Sequence, residues 1–299
     1  MRLCVLSSGS GGNCLYLEAG SARVLIDAGL SAKETARRLD AADLRLQDLT
    51  GVLLTHEHAD HAGGAAVLAR KLGIPVYATR GTHLALRDQP PEELVRFIEP
   101  GQAFRLSPPS GRSPAGSASS SKGTSHLVED GLYATPIGIS HDASEPVVYS
   151  IEERFPDGAC VRTAVVTDCG HAPAELAEAL AAHDALVLEM NHDLRRLMDG
   201  PYPWSLKQRV RSGRGHLSNA QGAGLLAATH HRGLRHVFLA HLSAENNTPD
   251  LARAAAEAVL DRAGSHATCA VASQAEPGAV FDLPPPPPSS RRPRQLALF

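Results

Sequence analysis

An α/β fold is predicted by three features of the 299-residue chain. Short apolar runs rich in Val, Ile and Leu alternate with amphipathic stretches along most of its length. Gly, Ser and Pro punctuate the boundaries between them. Apolar residues make up 43% and charged residues 20%, enough to fill a sizeable core. The core must be mainly aliphatic, because aromatics are only 4%.

The elements follow in order. Leu3–Leu6, Cys14–Glu18 and Val24–Asp27 read as strands joined by Gly/Ser turns. Ser31 caps a helix running to about Leu39, with Glu34 placed for a capping box. Val52–Thr55 is a buried strand. Ala65–Leu72 is a helix ended by Gly73 and Pro75. Ser107–Ser125 is almost all Ser, Gly, Pro and Ala, and reads as a flexible insertion. Strands resume at Leu132–Ile139, Val147–Ile151 and Val161–Thr167. Helices at Ala174–Ala182, Asn219–Thr229 and Asp250–Ala263 then alternate with strands at Ala185–Glu189, His236–Ala240 and Ala267–Ala272. Residues 284–294, with six prolines and three arginines, read as an extended linker, and 295–299 as a terminal peptide.

Composition excludes several classes. No apolar run approaches the length of a membrane-spanning helix, and the run after Met1 is too short for a secretory leader. The five cysteines are odd in number and contain no CxxC pair, which fits a reducing cytoplasm better than a disulfide frame. The net charge of −3 means that any nucleic-acid contact must use a local patch. Fifteen histidines are an excess, and their positions point to metal.

Thr55-His56-Glu57-His58-Ala59-Asp60-His61 follows an apolar strand. A strand-end loop fans four ligand-type side chains into one cleft, whereas a merely solvated loop gives no reason to crowd them. His141, Asp168 and His241 also follow strands, each in turn along the chain. With Asp27 in Leu-Ile-Asp-Ala-Gly, these residues resemble the metallo-β-lactamase superfamily. The resemblance implies an αββα four-layer sandwich, two central mixed sheets flanked by helices, over residues 1–283. It implies one divalent ion on His56, His58 and His141, a second on Asp60, His61 and His241, and Asp168 between them. Asp27 is then a buried carboxylate that holds the ligand loop. Imidazoles and carboxylates suit Zn²⁺ or Mn²⁺.

Further segments narrow the resemblance. Ser7–Asn13 (SSGSGGN), Gly215–Asn219 (GHLSN) and Glu245–Pro249 (ENNTP) are similar to the YycJ/WalJ-type subfamily, which has the nuclease character of RNase Z and RNase J. The similarity covers about Leu3 to Ala272. It implies 5′→3′ exonuclease action on DNA, in repair or replication, on single strands or duplex ends. A metal-bridging hydroxide would then attack phosphorus in line, the two ions stabilising charge on the equatorial and leaving oxygens. Asp60 orients the hydroxide, and His216 is the acid; the alternative for His216 is a bystander at a helix cap. Candidate substrate contacts are Ser8, Asn13, Asn191, His192, Lys207, Ser218, Asn219 and Asn246. The Ser7–Asn13 loop reads equally as a hairpin turn or as amides and hydroxyls facing a phosphate.

Between Leu194 and Gly215 there are six basic residues and one acid, a DNA-binding arm or a solvated helix face, with Tyr202 and Trp204 as candidate stacking residues. The tail Gln295-Leu296-Ala297-Leu298-Phe299 resembles the short motif by which bacterial repair proteins bind the sliding clamp. Gln295, Leu296, Leu298 and Phe299 are the candidate contacts; an inert frayed end is the alternative. The competing enzymatic reading is a hydrolase of a small thioester or lactone, which needs a tight apolar pocket and no basic arm. A redox diiron protein or a vestigial adaptor is less consistent with seven retained ligand positions.

Overall fold

The computed structural model describes residues 1–107 and 130–285. The expected insertion, apart from Ser107, lies outside the described residues. So do all but the first two residues of the linker and the whole of Gln295–Phe299.

The first half runs β1 (Arg2–Ser7), β2 (Cys14–Ala19), β3 (Ala22–Ile26), α1 (Ala32–Ala41), β4 (Gly51–Leu53), α2 (Ala59–Ala62), α3 (Ala65–Leu72), β5 (Val76–Ala78), α4 (Arg80–Ala85), β6 (Val95–Phe97) and β7 (Phe104–Leu106). The second runs β8 (Gly131–Gly138), β9 (Val147–Arg154), β10 (Cys160–Val166), α5 (Ala174–Leu180), β11 (Ala185–Glu189), α6 (Leu194–Asp199), α7 (Trp204–Val210), α8 (Asn219–Thr229), β12 (His236–Ala240), α9 (Pro249–Arg262), β13 (Thr268–Val271) and β14 (Phe281–Asp282). One seven-stranded sheet has the order β14-β1-β2-β3-β4-β5-β6, the other β13-β12-β11-β10-β9-β8-β7. Both are mixed: β3 to β6 and β10 to β13 pair in parallel, and the other neighbours are antiparallel.

The strands are apolar on both faces because both faces are covered. Along β1, Leu3 and Val5 enter the core between the sheets, while Cys4 and Leu6 face the layer that holds α1 and α3. Along β11, Ala185 and Val187 join the central core, and Leu186 and Leu188 pack towards α5, α8 and α9. The result is the expected αββα sandwich.

Most expected elements are present, with ends shifted by a residue or two. The strands β5, β6, β7 and β14 and the helices α2, α4, α6 and α7 were not expected; at two to seven residues they are too short to show a hydrophobic period. Two local readings need correction. Ser31 does cap α1 through Glu34 N, but the Glu34 carboxylate binds Arg37 and Arg38 and not the cap, so no box closes there. The complete capping box is at α8, between Ser218 and Gln221. The His/Asp motif is also not all loop: Asp60 and His61 sit on α2, with His58 as its cap.

Candidate metal centre

The strand ends of both sheets meet at one rim. β3 delivers Asp27, β4 leads to Thr55 and His56, α2 carries Asp60 and His61, β10 leads to Asp168, and β12 to His241. Asp27, Asp168 and His241 all have positive φ, at 61°, 55° and 55°. L-residues are disfavoured there, so the surrounding contacts must hold them. Asp27 receives Thr55 N (2.8 Å) and Thr55 Oγ1, while His241 N donates to Ser8 Oγ (2.7 Å). Gly29 lets α2 close on the Asp27 turn: a Cβ there would lie 1.8 Å from Asp60 O.

The seven expected ligand residues are brought together. His56, His58 and His141 offer nitrogens within 4.8 Å of one another, as do the ligand atoms of Asp60, His61 and His241. Asp168 lies between the groups, with Oδ2 2.9 Å from His61 Nε2 and Oδ1 3.8 Å from His141 Nε2. The second nitrogens are occupied from behind. His61 Nδ1 is 2.7 Å from Asp27 Oδ2, His141 Nδ1 3.1 Å from Gly215 O, and His241 Nδ1 3.0 Å from Glu189 Oε1. Each acceptor keeps the proton on Nδ1 and turns the Nε2 lone pair inward. Nε2 of His56, His141 and His241 is buried without a hydrogen-bond partner. Several buried imidazole nitrogens that converge unpaired on carboxylates fit a divalent pair.

The electrostatics agree. Burial opposes charge on His61 and His241, yet the Asp168 carboxylate and its neighbours outweigh it, raising His61 well above its usual range and His241 to about 10. Burial likewise opposes ionisation of Asp168, but His241 and His61 hold it well below the carboxylate range. Burial lowers His56 and His141. The cluster thus favours a positive charge at its centre, whether carried by protons or by cations.

Glu189 was not among the expected site residues. It is fully buried at the end of β11. Its Oε2 accepts from Cys169 N and Leu217 N, and its Oε1 faces Nδ1 of both His216 (2.8 Å) and His241 (3.0 Å). His216 borders the cleft, and although burial opposes its charge, Glu189 raises its pKa.

The substrate candidates divide. Asn191 and Asn246 line the cleft, an open cavity of about 220 Å³, together with Ser10, Asp142, Tyr202, Leu206 and Arg209. Ser8, Asn13, His192, Lys207, Ser218 and Asn219 are not among its lining residues. Ser8 holds His241 N, Lys207 Nζ donates to Met198 O, Ser218 caps α8, and Asn219 exchanges amide bonds with Asn247. The phosphate-facing reading of the Ser7–Asn13 loop narrows to Ser10, the one residue of the loop that lines the cleft. The Gly9 and Gly11 amides donate to Asn13 Oδ1 and Gln274 Oε1, so they are spent within the fold.

A sequence profile of the metallo-β-lactamase superfamily matches residues 8–155. Exodeoxyribonuclease YycJ of Bacillus anthracis is 36% identical over 264 residues, which cover 88% of this chain and 90% of that protein. Exodeoxyribonuclease WalJ of Streptococcus pneumoniae is 34% identical over 258 residues, covering 84% and 85%. Among solved structures, Zn²⁺-bound PqqB from Methylobacterium extorquens aligns with a TM-score of 0.63 at 20% identity, covering 95% of this chain and all of that one. The short form of human tRNase Z aligns at 0.57 with 14% identity, covering 95% and 100%. These two likenesses bear on the fold alone. The chain belongs to the metallo-β-lactamase superfamily, in its YycJ/WalJ-type subfamily.

Proposed function

We propose that this chain is a two-metal phosphodiesterase, a 5′→3′ DNA exonuclease of repair or replication. The observation that carries the metal reading is the convergence of unpaired, buried Nε2 atoms of His56, His141 and His241 on the carboxylates of Asp60 and Asp168. The relatives named as exodeoxyribonucleases support the substrate class.

His56, His58 and His141 would hold one ion and Asp60, His61 and His241 the other, with Asp168 placed to serve both. When bound, the ions supply a water-derived nucleophile near neutral pH and offset charge on the phosphate. Asp27 and Glu189 fix the tautomers of His61 and His241 from behind. Asp60 orients the attacking water. His216, kept cationic by Glu189, gives its proton to the leaving oxygen. Asn191 and Asn246 contact the substrate. Residues 1–283 are the catalytic domain, and Gln295–Phe299 tethers it to the sliding clamp through the linker.

The test is an assay on end-labelled single-stranded DNA, duplex DNA and RNA, bearing 5′-phosphate or 5′-hydroxyl ends, with Mn²⁺ or Zn²⁺. The expected result is mononucleotides released from the 5′ end of DNA by wild type and not by Asp60→Ala. Release from the 3′ end, or from RNA in preference, refutes the assignment.

A further inference from the structure

We propose that the α6–α7 segment is the track along which a single nucleic-acid strand leaves the cleft, with Arg209 on its inner side and Trp204 stacking a base on its outer side. This rests on the nuclease reading and adds the surface that engages the polymer.

The first observation is an imbalance of charge. Several arginines elsewhere pair with a carboxylate, among them Arg2, Arg23, Arg38, Arg70 and Arg162. Of the six basic residues from Arg195 to Arg214, only Arg209 does so among the described residues, with Asp142 at the cleft. Arg195, Arg196, Arg211 and Arg214 are exposed. Six cations against the single acid Asp199, in the segment whose helix α7 walls the cleft, give a net-negative protein a local surface for a polyanion.

The second is the helix itself. Leu206, Arg209 and Val210 line the cleft, at the spacing of one helical face. Trp204, Lys207 and Arg211 share the opposite face. Trp204 is 60% exposed, a large apolar surface with no role in the core. From Trp204 to Arg209 the helix rises about 7.5 Å, and across a helix about 10 Å wide the two opposite faces are about 12 Å apart, the span of roughly three to four stacked nucleotides. A phosphate at Arg209 therefore places a base within reach of the Trp204 ring. An aromatic ring flanked by cations is the arrangement that holds single strands without reading sequence.

Trp204 is the only tryptophan of the chain, so its emission reports on this surface alone. Manganese-loaded protein is titrated with a 5′-phosphorylated phosphorothioate oligothymidylate of about 12 nucleotides, which resists cleavage. Binding is followed by intrinsic fluorescence and, independently, by anisotropy of a labelled oligonucleotide. The expected result is quenching on binding, affinity lost roughly tenfold in Trp204→Ala, and most of it regained in Trp204→Phe. Arg211→Ala should lower the slope of log affinity against log salt by about 0.7, one single-strand phosphate contact. Binding without quenching, or Trp204→Ala binding like wild type, overturns the track while leaving the nuclease reading in place. An oligonucleotide neither bound by wild type nor, as the natural diester, cleaved overturns both.

Discussion

Replacing Glu189 by glutamine changes almost no volume and removes one charge. Its carboxylate accepts four hydrogen bonds, two backbone N–H groups on one oxygen and two imidazole N–H groups on the other. A carboxamide has one acceptor oxygen, so it satisfies one pair and turns its own N–H groups towards the other. Two bonds to a charged group are lost, at about 1.5–3 kcal/mol each, while the cost of burying a carboxylate is relieved. The direction of its ionisation agrees: His216 and His241 overcome burial and hold the Glu189 carboxyl below its ordinary range. Glu189→Gln should therefore lose about 3 kcal/mol in urea unfolding. Because His241 is then free to rotate or change tautomer, affinity for Mn²⁺ should fall about 10- to 100-fold. Equilibrium unfolding and metal titration on the same protein check both. A variant within about 0.5 kcal/mol of wild-type stability, with unchanged metal affinity, would show that Glu189 does not orient the site.

Other expectations follow from single contacts. Gly29→Ala places a methyl group 1.8 Å from Asp60 O, so it should unseat α2 and cost more in metal affinity, read by equilibrium dialysis, than Gly20→Ala, whose surroundings are open. His183 is fully buried between Ser150 and Leu180 O, and burial lowers it to about 4. The unfolded chain takes up this proton near pH 6.5, so stability from this residue is complete above that pH and declines by about 3 kcal/mol as pH falls towards 4. His183→Gln should flatten that part of the pH–stability curve; an unchanged curve would contradict the assignment. Deleting Gln295–Phe299 should abolish binding to the sliding clamp in a pull-down and leave cleavage of short oligonucleotides intact. Undiminished capture would end the tether proposal.

The ligand positions were legible because the chemistry is written locally. Four of the seven fall within His56–His61, and the other three each follow a buried strand. Such a strand end places a side chain at the rim whatever the rest of the fold does. Glu189 was hidden because its partners lie 27 and 52 residues away, and a carboxylate closing an apolar strand looks like any strand end. The positive φ of Asp27, Asp168 and His241 had no signal either, since neither residue type requires it. Six of the eight substrate candidates do not line the cleft, for the opposite reason. Serine and asparagine beside a cleft look the same in sequence whether they face solvent or close a turn. In the fold Ser8 is spent on His241 N, and Asn219 on Asn247. An α/β fold was readable from the alternation of apolar runs with amphipathic stretches, and the αββα architecture only through the resemblance that the ligand motifs carry, but the short helix α7, which supplies part of the cleft wall, was not.

The most direct test couples metal occupancy to chemistry. Protein stripped by chelation is titrated with Mn²⁺, and bound metal per chain is measured in the same samples as DNA cleavage. Cleavage should rise only as the second ion binds, and Asp168→Ala, which lacks the carboxylate between the sites, should not reach it. Full cleavage by stripped protein or at one ion per chain, or two bound ions with no cleavage of any nucleic acid, would contradict a two-metal nuclease.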